Sequence, residues 1–178
     1  MKLRILSGIL ALCLLLAGCA GAGKKNTQAA KKTAEKLDAA FESNLEIKLG
    51  DLQAEAIFTR QSPGSCTVRM LAPESLKDTE LVFTEDKVNI SYMGLSMSVD
   101  PASVPGSAAI KLLISALDTT LKQEGVDLEY DNRVLTASGK AGTGEFIFKI
   151  DPEKGNLLNL SIPDEQLEIE FKNFKFLS

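Results

Sequence analysis

One amphipathic helix pattern lies between two long series of short strand patterns, and this arrangement most constrains how the chain can fold. Residues 107–122 carry apolar side chains at helical spacing, which predicts a helix with one buried stripe. The stripe consists of Ile110, Leu113, Ile114, Leu117 and Leu121. Ser107 supplies the start signal and Gly125 the stop signal. Most of the remaining chain beyond residue 43 alternates between apolar and polar residues, which predicts β-strands.

The alternation predicts about eleven strands, and a further helix precedes them. The strands are expected at residues 44–49, 52–60, 66–72, 81–85, 88–93, 95–100, 128–131, 134–139, 145–150, 157–162 and 166–174. Thr27 to Glu42 is predicted to form the N-terminal helix, because apolar residues recur there at intervals of three or four. They are Ala30, Ala34, Leu37 and Phe41.

Two helices are too narrow to cover so many strands. Eleven strands spaced about 4.8 Å apart make a sheet roughly 50 Å wide, whereas a helix is only about 10–12 Å across. Because wide open sheets tend to curl, we expect an α+β fold. It is a strongly curved antiparallel half-barrel of about eleven strands, wrapped on the central helix and joined by an N-terminal helix. Such a half-barrel leaves a crevice between the helix and the concave face.

The candidate lining residues of this crevice are chosen by period alone. They are Phe58, Phe83, Met97, Leu113, Leu117, Phe146 and Phe148. A slip of one residue would reverse the facing of a whole strand. Met93, Leu95 and Met97 have two interpretations, because flexible methionine side chains suit either an adaptable surface or the filling of a core.

The first residues have the pattern of a lipoprotein signal peptide. A basic start is followed by an apolar run from Ile5 to Leu16. The next residues, Leu16-Ala17-Gly18-Cys19, resemble the bacterial lipobox. This resemblance implies that Cys19 becomes the first mature residue and carries a palmitate-like diacyl group on its sulfur.

Lipidation at Cys19 would divide the chain into three parts. We predict a signal peptide at residues 1–18, a lipidated tether at 19–26 and a half-barrel domain at 27–178. The domain is then held at the extracytoplasmic face of a cell membrane. Cys66 is the one cysteine left in that domain, so no intrachain disulfide is expected.

Charge is distributed unevenly along the mature chain. The segment from Cys19 to Lys36 contains five Lys and one Glu, whereas the rest is acidic. A basic segment beside a lipid anchor suits an anionic membrane surface, although it also suits a merely solvated helix face. The acidic domain argues against nucleic-acid binding.

The order of these features resembles the lipoprotein-carrier superfamily of the LolA and LolB localisation factors and the LppX/LprG-type lipoproteins. The resemblance rests on the lipobox, the N-terminal helix, the consecutive strands and the embedded helix that follows Val99-Asp100-Pro101-Ala102-Ser103. It implies a half-barrel that carries acyl chains or whole lipids beneath its helix. The absence of Trp distinguishes the chain from the localisation factors.

The residues do not indicate catalysis. The chain contains no His, which removes the usual general base and the commonest metal ligand. Glu168 and Glu170 lack a cleft that would separate their pKa values. Asp127, Glu129 and Asp131 lack the spacing of a calcium loop. We therefore predict no enzyme, no catalytic residues, no metal and no cofactor.

Two functions remain open from the sequence. The first is a membrane-anchored lipoprotein that binds or carries an acyl chain or a lipid-like apolar ligand in the crevice between helix and sheet. The second is a non-catalytic interaction or regulatory lipoprotein of the cell envelope, with a filled core and a protein partner bound at a sheet edge or at the acidic face.

Overall fold

The described residues form one open antiparallel sheet, two helices and short 3-10 turns. The computed structural model describes residues 31–62, 65–84, 87–100, 103, 107–131, 133–142 and 144–177. Helix α1 is described from residue 31 to 35 and continues into a 3-10 turn at Lys36–Asp38, and α2 spans Ser107–Lys122. The strands are β1 (Phe41–Leu49), β2 (Leu52–Ser62), β3 (Ser65–Ala72), β4 (Glu80–Phe83), β5 (Val88–Tyr92), β6 (Leu95–Val99), β7 (Asp127–Asp131), β8 (Val134–Ala141), β9 (Gly144–Ile150), β10 (Leu157–Ile162) and β11 (Leu167–Phe176).

The eleven strands join in one sheet whose order explains the position of α2. The order is β6-β5-β4-β3-β2-β1-β11-β10-β9-β8-β7, and neighbours pair antiparallel. The first and last strands therefore meet in the middle, and two meanders extend outward from them. Because α2 connects β6 to β7, which are the two outer edges, it has to cross the sheet. This arrangement confirms the predicted α+β class, the strand number and the central helix.

The core lies between α2 and the concave face of the sheet. Strand β9 shows the alternation most clearly, because Phe146, Phe148 and Ile150 are fully buried while the residues between them are exposed. Leu113 and Leu117 of α2 are also fully buried and belong to the same cluster. The period-two and helical patterns in the sequence thus converge on one apolar interior.

The convex face is polar and solvated. On it, the side chain of Lys172 bridges Glu46 and Glu170, which lie opposite each other on β1 and β11. These hydrogen bonds and charges, led by the hydrogen bond to Glu46, raise the pKa of Lys172 above its usual range. The lysine offsets the repulsion that two facing carboxylates would otherwise cause.

The predicted N-terminal helix is too long at its C-terminal end. The helix was expected to reach Glu42, but the 3-10 turn ends at Asp38 and Ala39 already has extended dihedral angles, with φ −68° and ψ 150°. Phe41 begins β1 and is buried there. The alternation was hidden because Ser43 occupies an inward position, where its hydroxyl donates a 2.9 Å hydrogen bond to the carbonyl of Lys172. A buried serine whose hydroxyl is hydrogen-bonded still counts as a polar residue in a sequence pattern, so it interrupts the alternation.

The end of α1 is held against the turn between β9 and β10. The Lys36 ammonium donates a 2.9 Å hydrogen bond to the carbonyl oxygen of Glu153, and the stem of Lys36 lies so close to Gly155 that a Cβ at Gly155 would approach it to 2.7 Å. Leu37 is fully buried in the core cluster. This short segment therefore adds to the interior but covers little of the sheet.

Candidate functional site

Inward-facing residues of adjacent strands form rows across the concave face, and along one of these rows exposure rises toward the β6 edge. One row runs from β2 to β6 through Phe58, Val68, Leu81, Ile90 and Met97. The exposed fraction of the side chains rises from 0% at Phe58 to 60% at Met97. The apolar face of the sheet therefore extends beyond the part that α2 covers.

We call this uncovered region the apolar shelf, and it consists of Leu81, Ile90, Tyr92, Leu95 and Met97. Tyr92 and Leu95 lie opposite each other on β5 and β6 and are 42% and 78% exposed. Among the strands, α2 packs most closely against β8, which lies in the other half of the sheet. The residues of the apolar shelf, near the β6 edge, are left exposed for this reason.

Six of the seven predicted lining residues lie together in the covered core. All six are buried and share one cluster: Phe58, Phe83, Leu113, Leu117, Phe146 and Phe148. Aromatic rings occupy this region, with 5.7 Å between the ring centroids of Phe146 and Phe148. Side chains therefore fill much of the space that was expected to be a crevice beneath the helix.

Met97, the seventh predicted lining residue, faces the concave side as expected but lies outside the covered core. Its neighbours Met93 and Leu95 are 85% and 78% exposed. Of the two interpretations of these residues, the exposed apolar surface is the one that the structure supports. Strand period gives the facing of a residue, whereas its burial depends on where the helix crosses.

An ion pair joins α2 to strand β2. The Arg60 Nη2 atom donates a 2.8 Å hydrogen bond to Asp118 Oδ1, and the arginine side chain is only 2% exposed. Arg60 lies on β2 between Phe41 and Cys66 of the neighbouring strands. Its Nε–H has no hydrogen-bond partner among the described residues. The buried guanidinium thus depends on a single carboxylate from the helix.

Arg60 was not singled out from the sequence, although a signal was present. It follows Ala56 and Phe58 at intervals of two, which places it on the same inward face. A charged side chain at an inward-facing position of a strand requires an opposite charge from another element. The sequence alone does not show that Asp118 supplies it, because the two residues are 58 positions apart.

Cys66 is a buried and protonated thiol. Burial raises the pKa of Cys66 from 9.0 to about 12; the charge of Arg60 lowers this pKa and that of Asp118 raises it. A thiol that is not ionised near neutral pH is a poor nucleophile. Cys66 therefore serves as a small buried apolar residue of the core.

A separate depression lies on the surface near the end of α1. Its volume is about 340 Å³, and it is lined by Lys36, Ala39, Lys154 and Phe176. None of these residues belongs to the predicted crevice or to the apolar shelf. The depression is shallow and open to solvent, so we do not regard it as the functional site.

Comparison with known proteins shows a likeness of fold. No protein-family model and no curated protein sequence matches the chain. An uncharacterized conserved protein from Thermus thermophilus superposes with a TM-score of 0.55 at 14% identity, over 85% of this chain and 88% of that one. A chain from the complex of the CwlD amidase with the GerS lipoprotein, from Clostridioides difficile, gives a TM-score of 0.52 at 9% identity, over 91% and 100%.

The LolA superfamily protein NE2245 from Nitrosomonas europaea is also similar, with a TM-score of 0.43 at 8% identity over 85% of this chain and 93% of that one. The open eleven-stranded antiparallel sheet with its crossing helix is the fold that the resemblance to the LolA/LolB-like superfamily implied. The likeness to the solved structures is one of fold alone. At sequence identities this low, the role of a residue in one protein is not transferred to another.

Within the described ranges, no helix is long and apolar enough to cross a membrane. No group of three or more acidic or cysteine side chains in the same ranges is placed to hold a metal ion.

Replacing Asp118 tests the ion pair. We expect Asp118→Leu to lower the free energy of unfolding by about 3 kcal/mol, because it leaves the guanidinium of Arg60 buried without a counter-charge. Urea denaturation measures this loss. The double variant Arg60→Leu/Asp118→Leu should recover most of it, since the uncompensated charge is then gone. An unchanged unfolding midpoint in Asp118→Leu would contradict the proposed role.

Titration of Cys66 predicts a loss of stability at high pH. The thiol stays protonated in the folded chain up to pH near 12, whereas in the unfolded chain it ionises from about pH 9. The unfolded state then binds fewer protons, so stability falls as pH rises above 9. Between pH 8 and pH 10.5, the urea concentration at the unfolding midpoint should therefore fall more for the unaltered chain than for Cys66→Ala. An equal fall in both would show that the thiol does not contribute.

Proposed function

We propose that this protein is a lipid-anchored extracytoplasmic binding protein that shelters an acyl chain, or a similar apolar ligand, on the apolar shelf. The observation that carries the proposal is the rise in exposure along the concave row from Phe58, at 0%, to Met97, at 60%, beside which Leu95 is 78% exposed. Exposed and contiguous apolar surface on a folded domain marks a site of interaction.

The chemistry of the apolar shelf suits a hydrocarbon chain. Four of its five residues are aliphatic or thioether side chains, and none is charged. The exposed methionine provides a surface that adapts to ligands of different shape. Leu81 and Ile90 connect the shelf with the buried core, so a bound chain would continue the apolar interior and remove both surfaces from water.

The ligand position differs from the one first expected. The sequence predicted a crevice directly beneath the helix, but Phe58, Leu113 and Phe148 are fully buried there. We therefore assign the ligand to the apolar shelf, toward the β6 edge of the concave face. In this arrangement the β5–β6 hairpin forms the outer end of the site.

The anchor is proposed from residues that lie outside the described ranges. The signal pattern of residues 1–18 and the lipobox residue Cys19 support lipidation and export. The tether at 19–26 would hold the domain within about 25 Å of the bilayer. A lipid ligand would then come from the membrane beside which the domain is held, and the partners are that membrane and its acyl chains.

A second candidate function is favoured by a different observation. A chain of similar fold occurs in a complex between an amidase and a lipoprotein, and the core beneath α2 is already occupied by side chains. Under this alternative the protein is a non-catalytic interaction or regulatory lipoprotein of the envelope. The apolar shelf would then receive a protein partner rather than an acyl chain.

A photoactivatable palmitic acid tests the ligand site. With the lipidated chain reconstituted in vesicles, we expect labelling of the peptides that contain Leu81, Ile90 and Met97. Leu95→Glu and Met97→Glu should each lower this labelling at least about tenfold, because a bound chain would desolvate the carboxylate. Mass spectrometry of the labelled peptides gives both the site and the extent.

Ile147→Glu is the matched control for these variants. Ile147 is an exposed apolar residue on the convex face, 37% exposed, so its replacement adds the same charge without touching the shelf. Labelling should be unchanged in this variant. Labelling confined to other segments, or equally reduced in Ile147→Glu, would contradict the assignment of the shelf and favour the protein-partner alternative.

Replacing the lipobox cysteine tests the anchor independently. We expect Cys19→Ala to move the protein from the membrane fraction to the soluble fraction of fractionated cells, because the acyl chains that hold it are lost. Cys66→Ala is the control and should stay with the membrane. Retention of Cys19→Ala in the membrane fraction would contradict lipidation at Cys19.

A further inference from the structure

The two outer edges of the sheet differ in charge. Strand β7 (Asp127–Asp131) carries three exposed carboxylates, on Asp127, Glu129 and Asp131. Strand β6 (Leu95–Val99) carries no charged residue, no proline and no recorded bulge. Charged side chains are a common means by which an edge strand avoids pairing with another chain. One edge of this sheet has that protection and the other lacks it.

The turn before β6 shows which backbone groups face outward. Met93 and Gly94 form a two-residue turn with φ values of 49° and 81°, and Tyr92 pairs with Leu95 directly across it. In such a hairpin the closing pair is hydrogen-bonded, and hydrogen-bonded pairs then alternate with non-bonded ones. The backbone groups of Leu95, Met97 and Val99 therefore bond to β5. Those of Ser96 and Ser98 point away from the sheet.

The sequence of β6 is nearly symmetric about its centre. It reads Leu95-Ser96-Met97-Ser98-Val99. An antiparallel pair of two such strands, centred on Met97 of both copies, places Leu95 opposite Val99 and Ser96 opposite Ser98. Apolar residues then meet apolar residues on the concave face, and hydroxyl groups meet hydroxyl groups on the other face. The outward backbone groups of Ser96 and Ser98 are the ones that this register pairs, in four hydrogen bonds.

The polar face of the hairpin supports the same register. The hydroxyl groups of Ser91 and Ser96 share a 2.9 Å hydrogen bond, and the Ser98 hydroxyl donates to the side-chain oxygen of Asn89. Each of these two pairs thus joins a side chain of β5 to one of the edge strand β6. A second copy would add Ser98 beside Ser96 and Ser96 beside Ser98, which continues both pairs.

We propose that β6 binds β6 of a second copy of this chain, in antiparallel register centred on Met97, to form a symmetric dimer with one continuous sheet. A two-fold axis through the Met97 pair makes the contact self-complementary, as symmetric dimers require. The same operation on β7 would set Glu129 against Glu129 and Asp127 against Asp131, so only one edge of the sheet can associate in this way.

The dimer is separate from the ligand site, because it uses the edge of β6 while an acyl chain uses its face. Pairing joins the two apolar shelves into one surface. Since the strand has only five residues, the association is weak in dilute solution and increases with concentration. Attachment of both copies to one membrane would raise their effective concentration.

Disulfide trapping tests the register. In the non-hydrogen-bonded central pair the two Met97 Cα atoms would lie about 4.5 Å apart, within the range that a disulfide spans. We expect Met97→Cys in the lipidated chain, in vesicles under mild oxidation, to give a covalent homodimer whose yield increases with protein density. Glu129→Cys, at the centre of the other edge, is the matched control and should give at least about tenfold less.

A proline tests the backbone pairing in the same assay. Met97→Cys/Ser98→Pro removes an outward N–H without breaking a bond to β5, and we expect it to lose the homodimer. Met97→Cys/Ser98→Thr keeps that N–H and should retain the homodimer. Circular dichroism confirms that both variants remain folded. Equal trapping by Glu129→Cys, trapping that survives the proline, or a crosslink in cells to a different protein at Met97→Cys would each overturn the proposal.

Discussion

The width of one continuous sheet, compared with the width of one helix, is the constraint on which this structure depends. Eleven strands turn their apolar residues to one side, and the described part of the chain supplies one helix of more than two turns to cover them. Removal of apolar surface from water is favourable, so the apolar faces of the sheet and of α2 are buried where the two pack together. The remaining surface lies between α2 and the β6 edge, where exposure increases strand by strand.

The ion pair between Arg60 and Asp118 ties α2 to strand β2. A buried guanidinium is costly without a counter-charge, and here the carboxylate comes from α2. The pair therefore holds the helix over β2 while its apolar stripe packs toward β8. Because the loop connections require α2 to run between two opposite edges, this side-chain contact selects the line along which it crosses.

The β6 end of the sheet presents two different surfaces to the environment. Its face consists of uncharged apolar side chains, which suit a hydrocarbon ligand, and its edge consists of backbone groups, which suit another strand. Strand β7, at the far edge, presents carboxylates instead. An asymmetric sheet of this kind directs both apolar ligands and chain association toward β6, and a lipid anchor would bring that region close to a membrane and to other copies.

The sequence by itself determined the secondary structure, because side-chain period is a local property of the chain. All eleven strands and the limits of α2 were predicted, and the half-barrel followed from their number. The sequence did not show that Phe41 begins a strand, since Ser43 masks the alternation. It also did not show that Met97 would be exposed or that Arg60 would meet Asp118. Only the tertiary structure decided these points, because they depend on where a helix crosses strands that are distant in sequence.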